Sequence, residues 1–159
     1  MAYLGVDHTE ENPKSFEEWG VLKEKIRETG QIFPNLPYYK DINGYVCETD
    51  AILIHIIQKS GRKELLGKQG NDTIIVRMIE GVLSDCQAEL LEHLQSASQN
   101  NGKSEFEAMM DTSSLVGQKI LKLNNRLEKN SPFLLVYLTI ADFHLYDVTT
   151  YVFLLLIKK

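Results

Sequence analysis

The chain has 159 residues, 43% hydrophobic and 25% charged, and a formal net charge of -5 at pH 7. That length suits one ordinary domain, or one domain and part of another, and the scattered lysines and arginines exclude a nucleic-acid or anionic-membrane footprint. Two cysteines, Cys47 and Cys86, with no CxxC and no Cys/His cluster, exclude a disulfide framework and a zinc site and point to a reducing, cytoplasmic setting.

Residues 1–10 carry early acids and no apolar centre, so no signal peptide is expected. Residues 2–6 read as a possible strand. Ser15-Phe16-Glu17-Glu18 has the spacing of a helix capping box, and the helix it opens carries Trp19, Leu22 and Ile26 on one face before stopping near Gly30. Next comes Phe33-Pro34-Asn35-Leu36-Pro37-Tyr38, a strand-like run with an internal proline. A proline cannot donate to a sheet ladder, so Pro37 belongs at a strand start or edge and is a candidate cis-proline beside a site. The backbone of residues 35–37 could then bond an extended peptide as a short added strand. Asn43-Gly44 predicts a tight hairpin turn, and Thr49 is expected to cap a nearly all-apolar helix that ends at Ser60-Gly61.

From Asp72 the pattern turns to long helices, over about 72–94, 104–128 and 139–151, with a Ser/Asn/Gly-rich loop over 95–103. The shift from mixed to all-helical pattern predicts two domains, 1–68 and 72–159. Thr139-Ile140-Ala141-Asp142 repeats the capping spacing at the last helix. The apolar run 151–157 reads as a core strand or helix end, far short of the about 20 residues a membrane crossing needs.

Glu48 and Thr49 stand where a strand gives way to a helix, so the free amides and dipole of that helix favour a carboxylate while Glu48 could accept from an ammonium. An amino-acid-like group carrying both charges fits that pair better than a phosphate, and plain N-capping is the competing reading. Trp19 stands near Lys23 and Lys25, so an indole donor and a cation could meet one anionic group, or the indole could simply pack its helix. Asp85 reads as a solvated helix residue. The four histidines show no metal spacing, and no phosphate loop or nucleophile elbow occurs.

Taken in order, these motifs resemble the cytosolic glutathione S-transferase family, most nearly its mu class. The match rests on Phe33-Pro34-Asn35-Leu36-Pro37-Tyr38, Thr49-Asp50-Ala51-Ile52, and residues 133–147 with Thr139-Ile140-Ala141-Asp142-Phe143. The resemblance implies an α/β plus all-α fold, an incomplete thioredoxin-like N-terminal domain followed by a helical C-terminal domain. It implies glutathione as co-substrate, an electrophilic small molecule as its partner in conjugation and detoxification, and a homodimer without metal. Carried over by position, Leu36 beside a cis Pro37 would bond the cysteinyl backbone, and Glu48 and Thr49 the γ-glutamyl end. Trp19, Asn35 and either Lys23 or Lys25 would meet the glycyl carboxylate and its neighbours. Asp85 would reach the glutathione of a partner subunit, and Phe33 would key into that subunit.

The chain also departs from the family. The family opens with a strand and a helix bearing the tyrosine that stabilises the glutathione thiolate, and residues 1–14 leave no room for such a crossover of about a dozen residues. Tyr3 falls at the following strand, so no catalytic residue is assigned. Residues 149–159 diverge, and Gln95 stands where the class places a tyrosine of its electrophile pocket. A chain truncated at both ends, with weak or no turnover, is therefore expected; the alternatives are a non-catalytic binding module on the same scaffold and a gene fragment.

Overall fold

The computed structural model describes residues 2–97 and 108–157. It divides into two compact units, Met1–Lys63 and Glu64–Lys159. The first unit holds a 3-10 turn Ala2–Leu4, helix α1 (Phe16–Glu28), strands β1 (Tyr38–Asp41) and β2 (Gly44–Cys47), and helix α2 (Thr49–Ser60). The second opens within a 3-10 turn, Lys63–Leu66, and continues with α3 (Gly70–Ala97), α4 (Leu115–Asn130) and α5 (Ile140–Ile157). A two-stranded sheet with helices, followed by helices alone, is the incomplete thioredoxin-like and helical architecture that the resemblance implies.

Residues 2–6 do not form the expected strand. Gly5 takes φ 60° and ends any extended run, and the preceding turn is held by Arg62, whose Nη2 donates to the Tyr3 hydroxyl at 3.1 Å while its guanidinium stacks 5.3 Å from the ring centroid. Helix α1 starts as its spacing requires, with the Ser15 hydroxyl accepting from the Glu18 amide at 3.2 Å. The return arm shifts by one residue, because the Glu18 carboxylate accepts from the Lys14 amide at 2.7 Å. Along α1, Trp19 and Leu22 are half-buried and Ile26 is fully buried, and Gly30 follows at φ 91°.

The hairpin turns one residue earlier than the Asn43-Gly44 signal suggests. Asp41 faces Gly44 across the ladder, which leaves Ile42 and Asn43 as the loop. The Asp41 carboxylate accepts from the Asn43 amide at 2.8 Å, a local turn bond that side chains of this kind favour, and Gly44 alone of the pair takes a positive φ, 119°. Helix α2 packs on both strands. Its buried Ile56 and Ile57 join Cys47 of β2 and Ile26 of α1 as the buried hydrophobic residues among those described in this unit.

The cap of α2 differs from expectation. Glu48, at φ 71°, is the N-cap and makes no side-chain capping bond, while Thr49 is already helical. The Glu48 carbonyl accepts the first helical bond, from Ile52 N at 2.9 Å. The helix therefore begins one residue before a Thr49 cap would place it.

In the second unit α3 packs against α4 and α5. Its buried Val76, Ile79, Leu83, Cys86 and Leu90 alternate steps of three and four, which puts one continuous apolar stripe on one side of the helix. Of the helix expected over 104–128, residues 104–107 lie outside the described residues. The described part is interrupted by a turn at 111–114, and α4 starts afresh with the Ser114 hydroxyl accepting from Gly117 N at 2.9 Å. The Asp111 carboxylate secures that turn by accepting from Ser113 N at 2.8 Å and Ser113 Oγ at 2.6 Å. Gly117 is required there, since a Cβ would lie 2.0 Å from the Asp111 carbonyl oxygen.

At α5 the Thr139–Asp142 spacing works differently from a reciprocal box. The Asp142 carboxylate collects three donors, Leu134 N at 2.8 Å, Thr139 N at 2.8 Å and Thr139 Oγ1 at 3.0 Å. The run 151–157 continues α5 as helix. Among the described residues no helix is long and apolar enough to cross a membrane.

Candidate functional site

The first unit gathers several of the expected binding residues at one end of β1. The Leu36–Pro37 peptide is cis, the isomer expected of it. Pro34 is buried and anchors the run, while Asn35, Leu36 and Pro37 are exposed. Asn35 is the joint between the strand and α2. Its Oδ1 accepts from the Leu36 amide at 2.9 Å, and its Nδ2 donates to Glu48 Oε1 at 3.4 Å. Asn35, Leu36 and Glu48 thus form one connected group, with the helical Thr49 next in chain.

The loop that leads there is tied down by Gln31, which donates from Nε2 to the Tyr45 carbonyl at 3.2 Å and accepts from the Phe33 amide at 3.2 Å. Phe33 itself is 66% exposed. Trp19, Lys23 and Lys25 lie on α1 and, among the described residues, make no hydrogen bond or ion pair with Asn35, Leu36 or Glu48. Lys23, four residues after Trp19, shares its helical face and is half-buried; Lys25 projects from another face and is exposed. Asp85 is on α3 in the second unit, where it pairs with Lys119 at 3.1 Å. The side chain of Gln95 lies outside those described.

A groove of about 810 Å³ borders this group, lined on one side by residues 36–40 and on the other by residues 7–12. Its walls carry Asp7, Glu10 and Glu11 against Lys40 and His8, an acidic balance. The Tyr38 hydroxyl donates to Glu11 Oε2 at 3.0 Å. Burial first, and then the Glu11 carboxylate, pushes the Tyr38 phenol up to about 12, so it stays protonated at neutral pH.

A glutathione S-transferase of Tyrophagus putrescentiae is 30% identical over 152 residues, an alignment that takes in 92% of this chain. The likeness supports the glutathione S-transferase family. The chain spans 64% of that relative's length. No family profile and no solved structure matches.

Two polar clusters escaped sequence reading. On the α2 side of the sheet, Asp41 Oδ2 accepts from Lys59 Nζ at 2.8 Å and lies 3.1 Å from His55 Nε2, while Lys59 also donates to the Tyr39 hydroxyl at 3.3 Å. The Lys59 bond, then the Asn43 amide and His55, hold the Asp41 carboxyl well below the usual carboxylate range, and the same bond to Asp41 raises Lys59. The period-two alternation of β1 places Tyr39 and Asp41 on one face, which was the available signal. In the helical unit the buried Glu80 of α3 lies 3.5 Å from His144 Nδ1 of α5, whose Nε2 is 3.2 Å from Gln87 Oε1. Nothing local announces that pairing, because the residues are 57 or more positions apart.

Proposed function

We propose that this chain is a glutathione S-transferase family member of mu-class type, in which the Leu36–Pro37 edge with Asn35, Glu48 and Thr49 holds glutathione. The observation that carries the reading is the connected group at the start of β1. An exposed Leu36 backbone offers a partner to a peptide-like ligand, and Glu48 and the amides at the start of α2 offer charge complements to the ammonium and carboxylate of an α-amino acid. The similarity to the glutathione S-transferase of Tyrophagus putrescentiae supports the same reading. Trp19 and Lys23 would meet the glycyl end, Lys23 being preferred to Lys25 because it shares the face of Trp19. Homodimer formation through Phe33, and the approach of Asp85 to a partner's glutathione, belong to the same proposal, as does a cytoplasmic location.

The reaction of the family would be attack of the glutathione thiolate on an electrophilic carbon. A thiol has a pKa of about 8.5 and needs a donor or positive field to ionise at neutral pH. The groove beside Leu36 supplies the opposite field, since Asp7, Glu10 and Glu11 line it and nearby negative charge raises a thiol pKa. Its phenol, Tyr38, already donates to Glu11. These two observations favour a second reading, a glutathione-binding module with little turnover.

Calorimetric titration with glutathione tests the binding step, and conjugation of an aryl halide tests the chemistry. Binding is expected, with Thr49→Ala weakening it about fivefold, the equivalent of one hydrogen bond at about 1 kcal/mol. Unchanged affinity in that variant would remove the γ-glutamyl assignment. Conjugation at the buffer rate, with binding intact, selects the second reading.

A further inference from the structure

The polar cluster that joins α3 to α5 fixes its own protonation, beginning at its exposed end. Gln87 Nε2 donates to the Asp147 carboxylate at 3.2 Å. A carboxylate only accepts, so this bond orients the amide and turns Gln87 Oε1 towards His144 Nε2, 3.2 Å away. Two acceptors cannot bond, so Nε2 carries a hydrogen. The other ring nitrogen, Nδ1, then faces Glu80 Oε1 at 3.5 Å. Glu80 is only 6% exposed, and its Oε1 is buried with no hydrogen-bond partner. Without one further proton, a nitrogen lone pair would point at a buried carboxylate oxygen, and unpaired acceptors are costly in a low-dielectric interior.

We propose that α3 and α5 are joined by a pH-sensitive clasp, in which Glu80 on one nitrogen and Gln87 on the other hold His144 as an imidazolium. The proton belongs on the ring, since an imidazole ordinarily binds one more tightly than a carboxylate does, with pKa values of about 6.5 and 4.3. The surrounding charges agree. From α3 the ring faces Glu80, and on α5 itself Asp147 and Tyr151 follow one and two turns later. Arg77 stands one turn before Glu80 on α3 and, among the described residues, makes no ion pair with it. Lys119 of α4 is paired with Asp85 and Glu89 of α3. His144 is therefore the described cation that answers the buried carboxylate.

In the unfolded chain the ring returns to its ordinary value, so folding takes up a proton at neutral pH. The contribution of the clasp is full below about pH 6.5 and is lost as pH rises through the folded value. A rise in pH thus loosens α5 from α3 while leaving the apolar stripe unchanged. The proposal goes beyond the glutathione reading and does not rest on it, because Glu80, Gln87, His144 and Asp147 all lie outside the group of Asn35, Leu36 and Glu48.

The test follows the His144 ring by nitrogen NMR in the whole chain, with urea unfolding from pH 6.5 to 8.5, for wild type and Glu80→Gln. Glutamine keeps the shape, and its amide donates to a neutral Nδ1, so that variant needs no proton at the clasp. In wild type the ring is expected to be doubly protonated at pH 7.5, and its proton affinity to fall at least tenfold in Glu80→Gln. The folding constant of wild type relative to the variant should then fall at least about fivefold across that range, the linked consequence of a tenfold change in proton affinity. Gln87→Leu, which removes the acceptor at Nε2, should lower the ring's proton affinity severalfold and decides the matter if Glu80→Gln does not fold. A neutral ring at pH 7.5 in wild type overturns the proposal. So does a titration midpoint that neither variant moves, or a ratio of folding constants that stays flat.

Discussion

The two units hold themselves together by different means. In the first, α2 is fastened to β1 by Asp41, His55, Lys59 and Tyr39, and few residues are fully buried. In the second, α3 lays an unbroken stripe of Val76, Ile79, Leu83, Cys86 and Leu90 into its packing. An apolar stripe is non-directional and yields its stabilisation from area. A polar fastening is directional and depends on charge state. The fastening of α2 to β1 is therefore a part of the first unit whose stability answers to pH, and the α3 stripe is a part of the second whose stability answers to side-chain volume.

The largest effect expected from that contrast comes from Leu83→Ala, which empties the middle of the stripe. A loss of about 3 kcal/mol is expected from a fully buried leucine, read from urea unfolding followed by helix signal, and a loss under about 1 kcal/mol would mean that the stripe is not what holds the second unit. Gly117→Ala comes next. The added methyl meets the Asp111 carbonyl, and overpacking of this kind costs about 1–3 kcal/mol, visible as a lower melting temperature. Gly81, exposed with open space around its Cβ position, is the control, and Ala there should not destabilise.

The smallest effect, and the one that most sharpens the comparison, belongs to Asp41→Asn. The folded pKa of Asp41 lies below its ordinary 3.8, so its contribution is present above about pH 4 and is lost as pH falls through the folded value. The variant should be less stable than wild type at pH 6 and should approach it towards pH 2. Lys59 gives the mirror image. Its folded pKa is raised above 10.5, so its contribution is full below that value and fades as pH rises through the folded one. Parallel stability curves for wild type and Asp41→Asn across the acid range would show that the fastening carries no charge-dependent stability.

What could be read from sequence was what short-range chemistry dictates. Ser15 with Glu18 announces a helix start because the bond spans three residues, and Gly61 ends α2 because the αL conformation there, φ 76°, suits glycine. The proline inside an apolar run makes Pro37 only a candidate for the cis isomer, and it is the family resemblance that implies the cis bond found there. The joint made by Asn35 was not legible, since Glu48 is thirteen residues away and only the folded hairpin brings the two together. Residues 2–6 show the reverse failure, in which strand-like composition lost to Gly5 and to a partner at Arg62. The acid wall of the groove was equally invisible, because residues 7–12 carry no periodic pattern of their own and acquire meaning only beside β1.

The stacking of Arg62 on Tyr3 brings positions 3 and 62 of the first unit side by side. A chain whose two ends meet can be joined there and reopened elsewhere without lengthening any path through its fold, the condition under which circular permutation is tolerated. For the first unit by itself, a short linker from Arg62 to Tyr3, with a new opening at the exposed Ile42-Asn43 tip, would leave α1 and α2 covalently intact and part the hairpin only at its loop.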